Sequence, residues 1–491
     1  MDSQQLKSHL KLPSSIHFIG VGGAGMNPLA GICLKNGVKV TGSDNSHNKN
    51  QEELRSLGGD IWIGHSELEL KNRELPEACV FSTAINPSNE EYVYLKNKGV
   101  KLWHRSDLLQ EIAKQFEKQI VISGTHGKTS TTALVIWILQ KAGLNPCWVL
   151  GGVLNGLGSY GWNDYQREIF VFEGDESDQS FLKSTPFIGL ITSIEADHLE
   201  NYDNSFAVQI SKFIEFIEKS EKTVFAYPSA EELLNYSDPL LDHPWLSKAL
   251  RKKQSISYGL RSEQISLDFS VTFKDENSLI FISDSEENAI KIPPINNAPG
   301  KHNCLNAIAA IACAKQLGIE AKDAVKLLND FPGIYRRFEF VGETKNGISI
   351  VDDYAHHPSE VKAAISAGKE YLNQKQLGLN EKKGKLIVLF QPHLPTRLRD
   401  QWSGFLSCFD EADTVFLNDL YIARGEPIPG IDSANLAKQI NHKDLTYVGG
   451  SPENLINPVS AIAENNDLIL ILGAGNITYI RETLLTNLRL N

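Results

Sequence analysis

Short apolar runs and helical patterns alternate from the start of the chain: IHFIGV, a helical stretch from about Gly25, then VKVTGSD, IWIGH and ACVFSTAI. That rhythm predicts βαβ units of a parallel sheet. A second set opens with QIVISGTHGKTSTTALVIWILQKAG and continues through EIFVFEGDESD and FIGLITSIEADH. Each of its apolar runs ends in polar or small residues, so chemistry is expected at the carboxyl ends of the strands. Between Glu221 and Pro299 the runs shorten and alternate (SISYGL, LDFSVTF, SLIFIS, AIKIPPI), which predicts antiparallel strands decorating the middle unit. The helical pattern NCLNAIAAIACAKQLG closes that unit. A third α/β region follows, with strands predicted in ISIVDDY, KLIVLFQPH, DTVFLND, LTYVGG and DLILILGAG. KEYLNQKQLGLNEKKGK reads as a solvated excursion, and no internal repeat is visible.

The length of 491 residues agrees with about three such units. The expected architecture is therefore α/β with three domains: a Rossmann-like domain over 1–115, a central P-loop domain with a parallel sheet over 116–332, and a second Rossmann-like domain over 333–491. Lys+Arg 48 against Asp+Glu 60 gives a net charge of -12, which argues against a duplex-binding protein and for no nucleic-acid partner. The amino-terminal stretch lacks a charged region followed by an apolar core, and no run approaches the ~20 apolar residues of a membrane span. No membrane partner is expected, and the location is expected to be cytoplasmic. The six cysteines form no CxxC pair, so buried reduced thiols are expected rather than disulfides or zinc.

The strongest local signal is Gly124-Thr125-His126-Gly127-Lys128-Thr129-Ser130, set between an apolar run and a helical pattern. Backbone N–H groups of a glycine-rich strand-to-helix turn point at anions, Lys128 adds a cation, and the Thr129 hydroxyl can reach Mg²⁺. The usual pattern has a further glycine where Ile122 stands, so this is a shortened triphosphate loop. Glu173 and His198 follow apolar runs and would emerge at strand ends near it, where a carboxylate and an imidazole can hold divalent metal.

Gly20, Gly22, Gly23, Ala24 and Gly25 lie in a GxGxxG turn after a strand, with Asp44 about twenty residues on. By itself the turn predicts NAD. A nucleotide-diphosphate sugar offers the same pyrophosphate handle.

Taken in order, GVGGAGM, GTHGKTSTT, EGDESDQSFL, TSIEADHLENY, GKHNCLNAIAAIA, RRFEFVG, VDDYAHHPSEV, FQPH with Arg397, and GEPIPGIDS resemble the Mur ligases over nearly the whole chain. The resemblance implies an ATP- and Mg²⁺-dependent ligase of peptidoglycan synthesis, working as monomer or homodimer. Its substrates would be UDP-N-acetylmuramate, L-alanine and ATP, joined through an acyl phosphate. It further implies that Lys128 and Thr129 hold phosphates and a metal whose shell Glu173 completes, and that His198 holds a second metal. Asn303 and Asn306 would contact adenine, Asp353 the ribose and Arg337 the γ-phosphate. Tyr354, His356, His357, His393 and Arg397 would gather around the amino acid, and an arginine suits its carboxylate. Ser43, Asp44, His65, Ser82 and Arg105 are the candidates for the uridine side. Two departures stand out: Leu394 and Pro395 replace the arginine and tyrosine usual in the family, and Gly174 replaces an alanine.

A relative attaching a recycled peptide to the same nucleotide sugar is the nearest alternative, which the EGDESD context disfavours. An NAD-dependent oxidoreductase fused to an ATPase would not need Glu173, His198 and Arg337 together. A P-loop switch would call for an NKxD element, which is absent from the sequence.

Overall fold

A computed structural model describes residues 10–45, 47, 49–163, 167–227, 254–261, 266–274, 277–282, 285–292, 295, 297–375, 383–423 and 425–490. Three α/β domains are each built on one sheet, and the chain divides into two compact units, one holding the first domain and most of the second, the other Phe273–Ser278, Pro293–Cys304 and the third. Part of the predicted solvated excursion, residues 376–382, lies outside the described residues.

The first sheet runs β3-β2-β1-β4-β5, formed by β1 (Ser15–Ile19), β2 (Lys39–Asp44), β3 (Asp60–Ile63), β4 (Ala78–Phe81) and β5 (Lys101–His104). All its pairings are parallel. The order reverses beside β1, which puts the glycine turn after β1 at the topological switch point, where open α/β sheets take their ligands.

The second sheet has the order β15-β14-β13-β12-β11-β10-β6-β9-β7-β8. Its strands are β6 (Lys118–Ser123), β7 (Cys147–Leu154), β8 (Gly158–Gly161), β9 (Ile169–Glu173), β10 (Ile188–Ile191), β11 (Lys222–Ala226), β12 (Gln254–Leu260), β13 (Phe269–Lys274), β14 (Asn277–Ile282) and β15 (Ser285–Ile292). Strands β6, β9 and β10 are almost wholly buried, as both faces of a parallel sheet require. The antiparallel expectation fails for β11, β12 and β13, which pair parallel to one another. Alternation reports that a strand is half buried but carries no information on its direction. Connection length carries it for β11 and β12 alone: the stretch between Ala226 and Gln254 is ample for a crossover, while that between Leu260 and Phe269 is short.

The third sheet runs β16-β17-β21-β18-β19-β20, from β16 (Glu339–Glu343), β17 (Ser349–Asp353), β18 (Leu386–Phe390), β19 (Thr414–Asn418), β20 (Leu445–Val448) and β21 (Leu468–Leu472). Only β16 pairs antiparallel. Strands β18 and β21 are buried along their whole length, with apolar cores on both sides.

All six cysteines are free thiols, five of them buried, as expected. Among the described residues no helix is long and apolar enough to cross a membrane.

Candidate active site

The phosphate loop connects β6 to a helix over Lys128–Lys141, and its geometry explains the residue types. Gly124 has φ +134 and Gly127 φ +82, conformations that side chains rarely adopt. A Cβ at Gly124 would come within 2.3 Å of Thr192 Oγ1, and one at Gly127 within 2.6 Å of Asn306 Oδ1. The loop is braced from the segment after β10: Thr125 N donates to Ser193 O at 3.0 Å, His126 N to Ser193 Oγ at 2.9 Å, and Glu195 N to Thr125 Oγ1 at 2.9 Å. Ser130 lies in the first turn of the helix.

Lys128 Nζ donates to Gly124 O at 2.6 Å and Thr125 O at 2.9 Å, and pairs with Glu176 Oε2 at 2.8 Å. Burial pushes the Glu176 carboxyl above its ordinary range, and Lys128 pulls against that shift. Glu176 is missing from the residues singled out in the sequence, although the EGDESD run contains it. Thr129 Oγ1 donates to Glu173 Oε2 at 2.9 Å, and Gly151 N donates to Glu173 Oε1 at 2.6 Å. Hydroxyl and carboxylate thus meet at the start of the helix. Among the described residues no three His, Cys, Asp or Glu side chains converge as a metal group. A hydroxyl beside one carboxylate nevertheless fits Mg²⁺, which takes few protein oxygens and completes its shell with water and phosphate.

His198 belongs to the same bracing segment, but its ring pairs with Asp197 at 3.6 Å and Glu200 at 3.5 Å rather than with Thr129 or Glu173. It holds a left-handed backbone, φ 54. Asn306 is brought to the loop, accepting from Thr131 Oγ1 at 3.2 Å, whereas Asn303 Nδ2 donates back to Pro299 O at 2.8 Å.

The glycine turn after β1 follows the same logic. Gly20 takes φ +78, and a Cβ at Gly42 would lie 2.9 Å from Val21 Cβ. Gly23 and Ala24 are exposed and Gly25 is partly so. Gly22 N donates to Asp44 Oδ2 at 2.9 Å, so Asp44 shapes the turn itself. Ser43 and His65 enter a network around Glu91, a fully buried carboxylate. Ser43 Oγ donates to Glu91, Trp62 Nε1 reaches it at 3.1 Å, Ser66 N at 3.1 Å and His65 Nδ1 lies at 3.3 Å. Ser82 opens the turn after β4, its carbonyl accepting from Ile85 N. Arg105 begins a helix over Arg105–Ala113, and its guanidinium lies against Gly25 and donates to Asp175 Oδ2.

In the third domain the ends of β17, β18 and β19 bring Tyr354, His356, His393, Arg397 and Tyr421 together. His356 packs edge-on against Tyr354 at 5.2 Å and His393 at 5.9 Å, and His393 stacks on Tyr421 at 5.8 Å. Arg397 Nη1 donates to His393 Nδ1 at 3.2 Å. His357 instead meets Ser359 Oγ at 2.8 Å, where its helix begins. Leu394 and Pro395 are buried, Leu394 with φ 66, so they serve packing. Arg337 lies over the Tyr354 ring at 5.4 Å. Asp353 accepts from Phe338 N at 2.7 Å and Ala355 N at 2.7 Å, and burial raises its carboxyl to about 6. Gln391, also unforeseen, ties three strand ends together: it donates to Asn418 Oδ1 at 3.3 Å and Asn476 Oδ1 at 2.9 Å and accepts from Ile477 N at 3.1 Å.

Burial lowers His356 to about 4, and its Nδ1 donates to Tyr354 O at 2.9 Å, which leaves Nε2 as an acceptor. The ring's NMR shifts are expected to stay constant from pH 8 down to about 5. A midpoint near the ordinary 6.5 would show a ring open to water.

Three families match in chain order: "Mur ligase family, catalytic domain" over residues 15–117, "Mur ligase middle domain" over 122–314, and "Mur ligase, glutamate ligase domain" over 336–475. A protein of Trichlorobacter lovleyi named UDP-N-acetylmuramate–L-alanine ligase is 36% identical over 478 residues, covering 96% of this chain and 98% of its own. The crystal structure of the UDP-N-acetylmuramate-alanine ligase MurC of Thermotoga maritima superimposes with a TM-score of 0.76 at 25% identity, covering 96% and 98% of the two chains. A murein peptide ligase of Psychrobacter arcticus aligns with a TM-score of 0.66 at 23% identity, covering 97% and 98%, which speaks for the fold alone.

Proposed function

Since the chain belongs to the Mur ligase family, we propose that it joins L-alanine to the lactyl carboxylate of UDP-N-acetylmuramate with ATP as phosphoryl donor. The observation that carries this reading is the 36% identity to a ligase of that name across 96% of the chain, because it runs through all three domains. The family is ATP-dependent. The substrates are small and water-soluble, and the reaction belongs in the cytoplasm, where ATP is made available.

In the proposed reaction a lactyl carboxylate oxygen attacks the γ-phosphorus and ADP leaves with the bridging oxygen. The neutral amine of alanine then adds to the acyl carbon, loses one proton, and phosphate departs with the electrons of the broken C–O bond. Every step builds or moves negative charge, so the protein's work is positioning and neutralisation. The loop from Gly124 to Ser130 cradles the phosphates with its N–H groups and Lys128. Arg337 adds a second cation at the γ-phosphate, while Asn303, Asn306 and Asp353 serve the nucleoside. The turn from Gly20 to Gly25 takes the pyrophosphate of the nucleotide sugar, and Arg397 the alanine carboxylate. Mg²⁺, when bound, supplies further charge neutralisation; Thr129 and Glu173 would hold one ion and His198 a second.

Phosphate release is expected only with UDP-N-acetylmuramate and L-alanine together, and not with either alone, in an assay across the twenty amino acids. Release indifferent to the nucleotide sugar would defeat the reading. Micromolar binding of NAD by the full chain in calorimetry would revive the oxidoreductase.

A further inference from the structure

The first two domains meet through a row of charged and polar side chains. The helix over Arg105–Ala113 is latched to the segment after β9 at several points. Arg105 donates to Asp175 and lies 3.8 Å from Asp178; Lys183 Nζ donates to Asp107 Oδ1 at 2.5 Å and Ser106 Oγ at 2.9 Å; Gln110 Nε2 donates to Ser184 Oγ at 3.2 Å. Of these ties only Arg105 also touches the glycine turn. A Cβ added at Gly25 would sit 3.2 Å from its Nη1 and 3.4 Å from its Cδ.

The partner Asp175 is equally well placed. It stands between Glu173, which Thr129 and Gly151 contact, and Glu176, which pairs with Lys128. Its Oδ1 accepts from Ser177 N at 3.0 Å and Ser177 Oγ at 2.7 Å, fixing the turn, while Oδ2 takes the guanidinium. Four consecutive residues therefore touch the triphosphate loop at both ends, through Glu173 and Glu176, and the glycine turn, through Asp175 and Arg105, in the middle. Arg105 and Asp175 keep 22% and 31% of their side-chain surface open, so an anion on the glycine turn can compete for the guanidinium.

We propose that the Arg105–Asp175 pair is a positioning device that couples the two nucleotide sites, so that a diphosphate on the glycine turn changes the affinity of the phosphate loop for ATP and the reverse. The inference rests on the ligase reading for the identity of the two ligands. An arriving pyrophosphate draws one arm of the guanidinium, and the planar fork lets Arg105 hold phosphate and carboxylate at once. Asp175 follows, and with it the loop that carries Glu173 and Glu176. Such coupling is reciprocal by linkage.

The test is calorimetric titration of the full chain with UDP-N-acetylmuramate, with and without a saturating non-hydrolysable ATP analogue and Mg²⁺. The wild-type ratio of dissociation constants is expected to be about 5-fold or more. Asp175→Asn keeps the Oδ1 contacts to Ser177 and removes the charge; its ratio is expected to fall to within about 2-fold of unity. Arg105→Gln is the second route to the same result if that variant does not fold. Lys183→Ala cuts a neighbouring tie and is expected to keep the wild-type ratio. A wild-type ratio near unity, an unchanged ratio in the Asp175 or Arg105 variant, or an equal loss in Lys183→Ala would each overturn the proposal. Binding of neither nucleotide by the wild type would overturn the ligase reading first, and this inference with it.

Discussion

Lys128→Ala is expected to lower amide formation by about 10³-fold or more, the scale of losing a principal electrostatic stabiliser at a transferring phosphoryl group. The ammonium lies within 2.9 Å of two loop carbonyls, at the N-terminus of the helix over Lys128–Lys141, where anions are favoured. The substitution has a second consequence. It strands Glu176, whose side chain is only 5% exposed, without its cation. Removing one partner of a buried pair destabilises the fold in addition to slowing turnover. Lys128→Ala with Glu176→Gln separates the two effects: the neutral amide removes the stranded charge and is expected to restore the melting temperature without restoring turnover. Near-normal turnover in a folded Lys128→Ala would remove the lysine from the chemistry.

The second large effect is expected at the amino acid. Arg397→Lys should raise the apparent KM for alanine roughly 10- to 150-fold, equivalent to about 1.5–3 kcal/mol for a charged hydrogen bond, while the KM for ATP changes little. The His393 ring, stacked on Tyr421, accepts from one Nη1 hydrogen and so holds the fork in one orientation. Lysine keeps the charge but offers no second planar donor to the carboxylate. A parallel rise in both KM values would point to a general loss of structure. An unchanged alanine KM would take Arg397 out of the pocket.

The two glycine-rich turns were legible because each is a local device: a strand, a few residues with special backbone angles, and a helix, all within about 20 residues of chain. Glu173 was legible for a similar reason, as the polar end of an apolar strand. Glu176 is not marked out by its motif, because a string of acids does not say which one turns inward to meet Lys128. The Arg105–Asp175 pair joins residues 70 positions apart, and only the docking of two domains brings them together. Gln391 was hidden in the same way, since its partners Asn418, Asn476 and Ile477 come from other strand ends. The fold class followed from the alternation of strands and helices. The direction of β12 and β13 did not, because burial repeats every second residue whichever way a strand runs.

The parallel ladder between β6 and β9 sets Ile122 opposite Glu173, and Gly174 N donates to Ile122 O at 2.8 Å just beyond. Ile122 occupies the position where longer loops carry a glycine, so the shortened loop is measured off directly from a sheet residue. The position of Glu173 against Ile122 is thereby quantised: along the ladder it can change only in whole steps of about 3.3 Å, the rise of one strand residue. A one-residue slip of β9 would also swing the Glu173 side chain to the opposite face of the sheet. Insertions and deletions within Ile169–Phe172 therefore act on the carboxylate as an all-or-none change of face.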